Sequence, residues 1–142
     1  MSTDLTREEL EFLASCFDLA REGDVEQLDE LFDQGLPLNL TNDSGDTLLI
    51  LVAYYRQLPV VQTLLAHGAD TSRVNDRGQT ALASAVFRQD EPIVRALLAA
   101  GADPALGAKS AYAIADYFEL PAMRAILDEG SAGAATSESD QA

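Results

Sequence analysis

Short blocks of apolar residues recur along the chain and are separated by polar turns. Residues 48–55 and 81–88 are mainly apolar, and each block follows a threonine, Thr47 or Thr80, whose hydroxyl can accept a free backbone N–H at the start of a helix. Each block is only about two helical turns long, so neither would be stable alone. The pattern therefore predicts short helices that are stabilised by packing against neighbouring units.

A second apolar block begins at Pro59 and again at Pro92, which suits proline because the first helical turn leaves its N–H groups without helical partners. The apolar positions of the first of these blocks share one helical face: Val60, Val61, Leu64 and Leu65. Gly68 and Gly101 follow the two blocks, where a helix commonly ends on a residue with positive φ. Each unit is therefore predicted to contain two helices joined by a turn.

The chain repeats itself with a period of 33 residues. Residues 42–70 and 75–103 share 13 identities in 29 positions, and weaker copies flank them, the last beginning at Ser110. The sequence predicts one domain, residues 1–130, built from about four helix-turn-helix units. Their approximate bounds are 8–40, 41–73, 74–106 and 107–130. Residues 131–142 are small and polar, and they are predicted to form a disordered tail.

These motifs resemble one known family. Asn-Asp-x-Gly-x-Thr-x-Leu, followed by two helices and then Leu-Leu-Ala-x-Gly-Ala-Asp, is similar to the ankyrin repeat. The resemblance implies an all-α solenoid with β-hairpin-like loops and a concave groove that binds a partner protein. The family's histidine in Thr-Pro-Leu-His is replaced by Ile50 and Ala83, so the polar network between units is expected to be weakened in favour of apolar packing.

The resemblance also places candidate binding residues on the loop tips and on the inner face of each first helix. In the second unit they are Asp43, Ser44, Asp46, Tyr54 and Tyr55, and in the third they are Asp76, Arg77, Gln79, Phe87 and Arg88. The fourth unit places Tyr117 and Phe118 at the positions of the earlier aromatic residues. Aromatic residues and arginine dominate protein–protein hot spots, so this series predicts a binding surface, with packing in the core as the alternative.

The net charge of −15 is unevenly distributed. Residues 1–46 hold 13 acidic and two basic residues, whereas residues 47–105 hold five of each. This balance disfavours direct binding to nucleic acid or to anionic membranes, because both need cationic side chains. It leaves open an alternative function, an acidic inhibitor that imitates nucleic acid and blocks a DNA- or RNA-binding protein.

Candidate chemistry is sparse. Cys16 is the single cysteine and His67 the single histidine, and they lie in different units, so a tetrahedral zinc site is not expected. Cys16 is expected to be buried, and His67 to be exposed near a helix end. Neither a phosphate-binding glycine loop nor a nucleophile elbow occurs. The sequence predicts a non-catalytic, monomeric protein without metal or cofactor. It is expected in the cytoplasm, because it has neither a signal-peptide pattern nor an apolar run of roughly 18 residues.

Overall fold

A computed structural model describes residues 6–130. Pairs of helices follow one another along the chain. We call the first helix of each pair the inner helix and the second the outer helix. The helices are α1 (Arg7–Glu22), α2 (Val25–Asp33), α3 (Leu48–Tyr54), α4 (Leu58–Ala66), α5 (Ala81–Phe87), α6 (Glu91–Ala99), α7 (Ala111–Tyr117) and α8 (residues 121–130). The all-α repeat fold is confirmed, while the tail predicted for residues 131–142 lies outside the described residues.

The helix starts confirm the predicted caps. The hydroxyls of Thr47, Thr80 and Ser110 each accept a hydrogen bond from the backbone N–H three residues later, at 3.1, 3.1 and 3.2 Å. Each such cap stabilises its helix by about 1 kcal/mol. The second helices begin one residue before Pro59 and Pro92, which places each proline in the first turn.

Packing between neighbouring pairs builds one continuous core. The first helices α1, α3, α5 and α7 form one row, and the second helices α2, α4 and α6 form another. Residues 48–53 of α3 and 81–86 of α5 are all buried, whereas each helix ends on an exposed aromatic ring. Burying a leucine of such a helix is worth about 1.5–3 kcal/mol, which short helices need because they cannot persist alone.

The turn between the two helices of a pair has an unusual backbone. Arg56, Gln89 and Glu119 occupy equivalent places there with φ of 60°, 55° and 54°. Residues with a side chain adopt this left-handed conformation at a cost of about 1 kcal/mol relative to glycine. The strain is thus repeated in three consecutive units.

Polar contacts between units are present although the histidines of the family's motif are missing. The buried Asn75 donates from Nδ2 to Oδ1 of Asp46 at 2.7 Å. The backbone N–H of Asp76 donates to the carbonyl of Ser44 at 3.0 Å. Gln57 donates from Nε2 to the carbonyl of Arg21 at 2.7 Å. Loop asparagine, aspartate and glutamine side chains, together with loop backbone, therefore join the units here.

Close approach of the loops constrains one glycine. Gly45 has φ of 76°, and a Cβ atom placed on it would lie 2.7 Å from a carboxylate oxygen of Asp76. The tip itself closes with an antiparallel bridge between Thr41 and Thr47, in keeping with hairpin-like loops. Over residues 6–130, none of the helices combines the length and the apolar character that crossing a membrane requires.

Candidate functional site

Five exposed aromatic rings form a continuous series along the ends of the inner helices. We call Tyr54, Tyr55, Phe87, Tyr117 and Phe118 the aromatic row. Tyr54 stacks on Phe87 with centroids 6.3 Å apart and planes 10° apart, and Phe87 meets Phe118 edge-on at 5.4 Å. Tyr54–Tyr55 and Tyr117–Phe118 are also edge contacts, at 5.5 and 4.9 Å. The row thus connects three consecutive units through ring–ring contacts.

All five rings are accessible to solvent. Tyr54 and Phe87 are 41% and 40% exposed, and Tyr117 reaches 81%. The rings stand exposed because they occupy the last residue or the C-cap of α3, α5 and α7, just beyond the buried segment of each helix. The alternative of rings packed in the core is therefore wrong. Continuous exposed apolar surface of this kind is uncommon on soluble proteins, and such patches are typical of interaction sites.

The first cleft of the groove lies between the second and third units. It encloses about 400 Å³ and is bounded by Tyr54, Tyr55 and Phe87, with Arg77 and Gln79 contributed by the loop tip. The guanidinium carbon of Arg88 lies 5.1 Å from the centroid of the Tyr54 ring, within cation–π range. The cleft combines flat aromatic surface with cationic and amide groups, which suits a peptide chain carrying apolar side chains.

A second cleft lies between the third and fourth units and encloses about 500 Å³. Phe87, Tyr117 and Phe118 line it together with Ile114 and the exposed Lys109. Lys109 is absent from the sequence-predicted site. The repeat offset of 30 that aligns Ser110 with Thr80 also aligns Lys109 with Gln79, and this signal in the sequence could have identified it.

The loop tips place most of their predicted site residues at the surface. Asp43, Ser44, Asp76 and Arg77 are exposed, and Gln79 is half-buried. Arg88 is exposed as well, beside Phe87.

Asp46 is the exception among the predicted site residues. It is buried, and its carboxylate accepts hydrogen bonds from Asn75 at 2.7 Å and from Asn42 at 3.5 Å. Arg77 lies 3.9 Å from the same carboxylate. Asp46 thus lines the first cleft as predicted, but its carboxylate is already bonded by the loops around it.

His67 lies in a cluster that could coordinate a metal ion. The carboxylates of Asp29 and Asp33, one turn apart on α2, and the His67 ring place their ligand atoms within 4.8 Å of one another. Nε2 of His67 contacts Oδ1 of Asp29 at 2.7 Å, and the ring packs against Phe32 at 5.4 Å. His67 is thus half-buried between two units and not simply exposed as expected. These contacts explain its position without an ion.

Cys16 is fully buried on α1, as expected from the sequence. Burial raises the pKa of the Cys16 thiol, because an apolar environment disfavours the thiolate. Cys16 therefore contributes to the packing of the core, and its nucleophilic thiolate form is disfavoured.

Comparison with known proteins agrees with the repeat architecture. The family model described as ankyrin repeats (3 copies) matches residues 16–107, more than half of the 142-residue chain. A Pseudomonas aeruginosa protein named as an ankyrin repeat protein is 44% identical over 59 residues, a match that covers 42% of this chain. The chain thus aligns with only 34% of that relative's length. The matched residues, the repeat period and the stacked helix pairs lead to one conclusion: the chain belongs to the ankyrin repeat family.

Proposed function

We propose that this protein is a non-catalytic, monomeric interaction module that binds a partner protein in the cytoplasm through its groove. Ankyrin repeats are generally protein-interaction modules, and this is the coarse function that family membership supports. The groove is the aromatic row with its two clefts and the exposed loop tips. The partner's contacts are assigned to Tyr54, Tyr55, Phe87, Tyr117 and Phe118, supported by Asp43, Ser44, Asp76, Arg77, Gln79 and Arg88.

The single observation that carries this proposal is the exposure of five rings that touch one another. Phenylalanine and tyrosine left 40–81% exposed in series forgo the burial that they would gain in a core. A partner that covered them would recover that stabilisation. Tyrosine and arginine are also the types most often found at binding hot spots, and both occur here.

The test is a double substitution, Tyr55→Ala with Phe87→Ala. It should strongly reduce the proteins retained from cells that make this chain, while the melting temperature changes little because both rings are exposed. The matched control is Gln62→Ala with Arg95→Ala, two exposed residues of the outer helices. Equal retention by the two double variants would rule out the groove, and unfolding of the Tyr55/Phe87 variant would show that the rings are structural.

A second candidate function, imitation of nucleic acid, is favoured by the exposed carboxylates of α1 and α2. They include Glu8, Glu11, Glu26 and Glu30. A partner that normally binds nucleic acid would recognise this charge, and its affinity would fall steeply with salt. Binding to the aromatic row predicts a shallow salt dependence. Substituting three of these glutamates by glutamine separates the two functions, because only the imitation requires them.

A further inference from the structure

Most of the basic side chains in this protein lie close to a carboxylate, but two of them do not. All nine lysine and arginine residues lie within the described part of the chain. Seven of them have a carboxylate oxygen within 4.0 Å, most often on the same helix or loop. Within residues 6–130, Arg88 and Lys109 are the two that have none.

Both of these cations belong to the groove. Arg88 follows Phe87 at the end of α5, and its guanidinium carbon lies over the Tyr54 ring. Lys109 is exposed at the loop tip before α7 and lines the second cleft beside Phe87 and Tyr117. Among the residues that line this cleft, Lys109 is the only charged one.

This placement is notable in a chain with 24 acidic residues and nine basic ones, because carboxylates are abundant nearly everywhere else. Residues 1–46 carry −11 of the net charge of −15, and the fourth unit, which contains Lys109, holds four acidic and two basic residues over 107–130. None of these acidic residues lines the second cleft, so Lys109 places one positive charge between aromatic walls on an acidic protein.

From this charge complementarity, we propose that the second cleft binds a partner segment in which an aspartate or glutamate lies close to a large apolar side chain. The apolar side chain enters between Phe87, Tyr117 and Phe118, and the carboxylate pairs with Lys109. Arg88, over Tyr54, offers a second cation where the segment continues toward the first cleft. This proposal rests on the proposed function, since it names the chemistry of the segment that the groove binds.

The test begins with a displayed library of random twelve-residue peptides, from which those that bind the full chain are selected. Peptides that also bind the Phe87→Ala variant are then removed. The selected peptides should be enriched in acidic residues next to leucine or an aromatic residue. A synthetic peptide of that sequence is then measured by fluorescence anisotropy. Lys109→Gln should weaken it about two- to fivefold at low salt, the range of an exposed charge pair. Lys109→Arg should retain binding.

The controls separate local pairing from net charge. Arg95→Gln changes the net charge by the same amount on an outer helix, and it should leave the affinity unchanged. Lys109→Glu should reject the acidic peptide and accept a version in which lysine replaces the acid, because the charge pair is then reversed.

The outcomes distinguish the two proposals. Groove-dependent peptides that lack an acidic residue, or that ignore Lys109→Gln, would overturn the acidic-segment proposal and leave the groove as a binding surface. If no peptide remains once those that bind the Phe87→Ala variant are removed, both proposals fail. Acidic peptides that lose affinity for the Lys109→Gln variant, but not for the Arg95→Gln variant, would support the acidic-segment proposal.

Discussion

Asn75 is the residue whose substitution should most clearly show that polar contacts between loops hold the units together. Its Oδ1 accepts from the backbone N–H groups of Arg77 and Gln79, each at 3.0 Å, which closes its own turn. Its Nδ2 donates to the buried carboxylate of Asp46 in the preceding unit at 2.7 Å. Asn75→Ala removes all three bonds.

Asn42 provides a matched control one unit earlier. Its Oδ1 accepts from the backbone N–H groups of Ser44 and Asp46 at 3.0 Å, which is the same turn chemistry. Its Nδ2 reaches only the Asp46 carboxylate of its own turn, at 3.5 Å. Asn42→Ala therefore removes the turn bonds while the bond between units stays in place.

The magnitude follows from the difference between these two variants. A hydrogen bond to a charged group is worth about 1.5–3 kcal/mol. Asp46 keeps the weaker contacts with Asn42 and Arg77 when Asn75 is lost, so the lower half of that range applies. We expect Asn75→Ala to lower the free energy of unfolding by about 2 kcal/mol more than Asn42→Ala does. For a chain of this length that corresponds to about 6–8 °C in melting temperature.

Urea unfolding followed by far-UV circular dichroism measures this difference, and Asn75→Asp sharpens it. That variant keeps the turn acceptor but places a second carboxylate against Asp46, so the folded state should raise the pKa of the new carboxyl group. The resulting penalty is present in full above the folded pKa, decreases as the pH falls through it, and vanishes below the unfolded pKa. Equal midpoints for Asn75→Ala and Asn42→Ala would show that the Asn75–Asp46 bond does not hold the two units together.

Three further predictions concern stability and reactivity. Gln89→Gly should raise the free energy of unfolding by about 0.5–1 kcal/mol in urea melts, because glycine adopts positive φ without strain; no change would mean that the turn is unstrained. Gly45→Ala should lower the free energy of unfolding by about 1–3 kcal/mol, and by more than Gly68→Ala does. The reason is that a Cβ atom at position 45 would meet Asp76, whereas nothing lies within 4 Å of one at position 68. Similar losses for the two variants would contradict the close approach of the loops. Cys16 should react with a thiol reagent only as fast as α1 opens, because burial raises its pKa and blocks access; immediate reaction in the native protein would show the thiol to be exposed.

Much of the fold could be predicted because each unit repeats the same local signals. Local signals mark the ends of the helices: the caps Thr47 and Thr80, the prolines that open the second helices, and the glycines that follow them. These signals act through backbone hydrogen bonding, which depends on nearby residues alone. The inner helices were predicted to end one residue later than they do. Such ends are set by the competition between the last turn and the strained residue that follows.

The candidate site was predicted in part, and its errors have a physical cause. Register alone places residues on the groove, but it does not show what each side chain bonds to. Asp46 has the right register, yet Asn75 from the next unit occupies its carboxylate. His67 likewise meets Asp29 and Phe32 only because two units stack. Such contacts join residues about 30 positions apart or more, so no local pattern reports them.

The sequence alone could not show that all the rings of the aromatic row are exposed. Adjacent rings such as Tyr54 and Tyr55 could have pointed one inward and one outward on a regular helix. The helix instead ends at Tyr54, and Tyr55 occupies its C-cap, so both rings reach solvent.

Photo-crosslinking in cells that make the protein can show whether partners bind along the aromatic row. A photoreactive phenylalanine analogue replaces Tyr117, the most exposed ring of the row, or Gln62 on the outer helix α4. We expect a discrete protein adduct from position 117 and none from position 62. Adducts from position 62 alone would contradict this expectation.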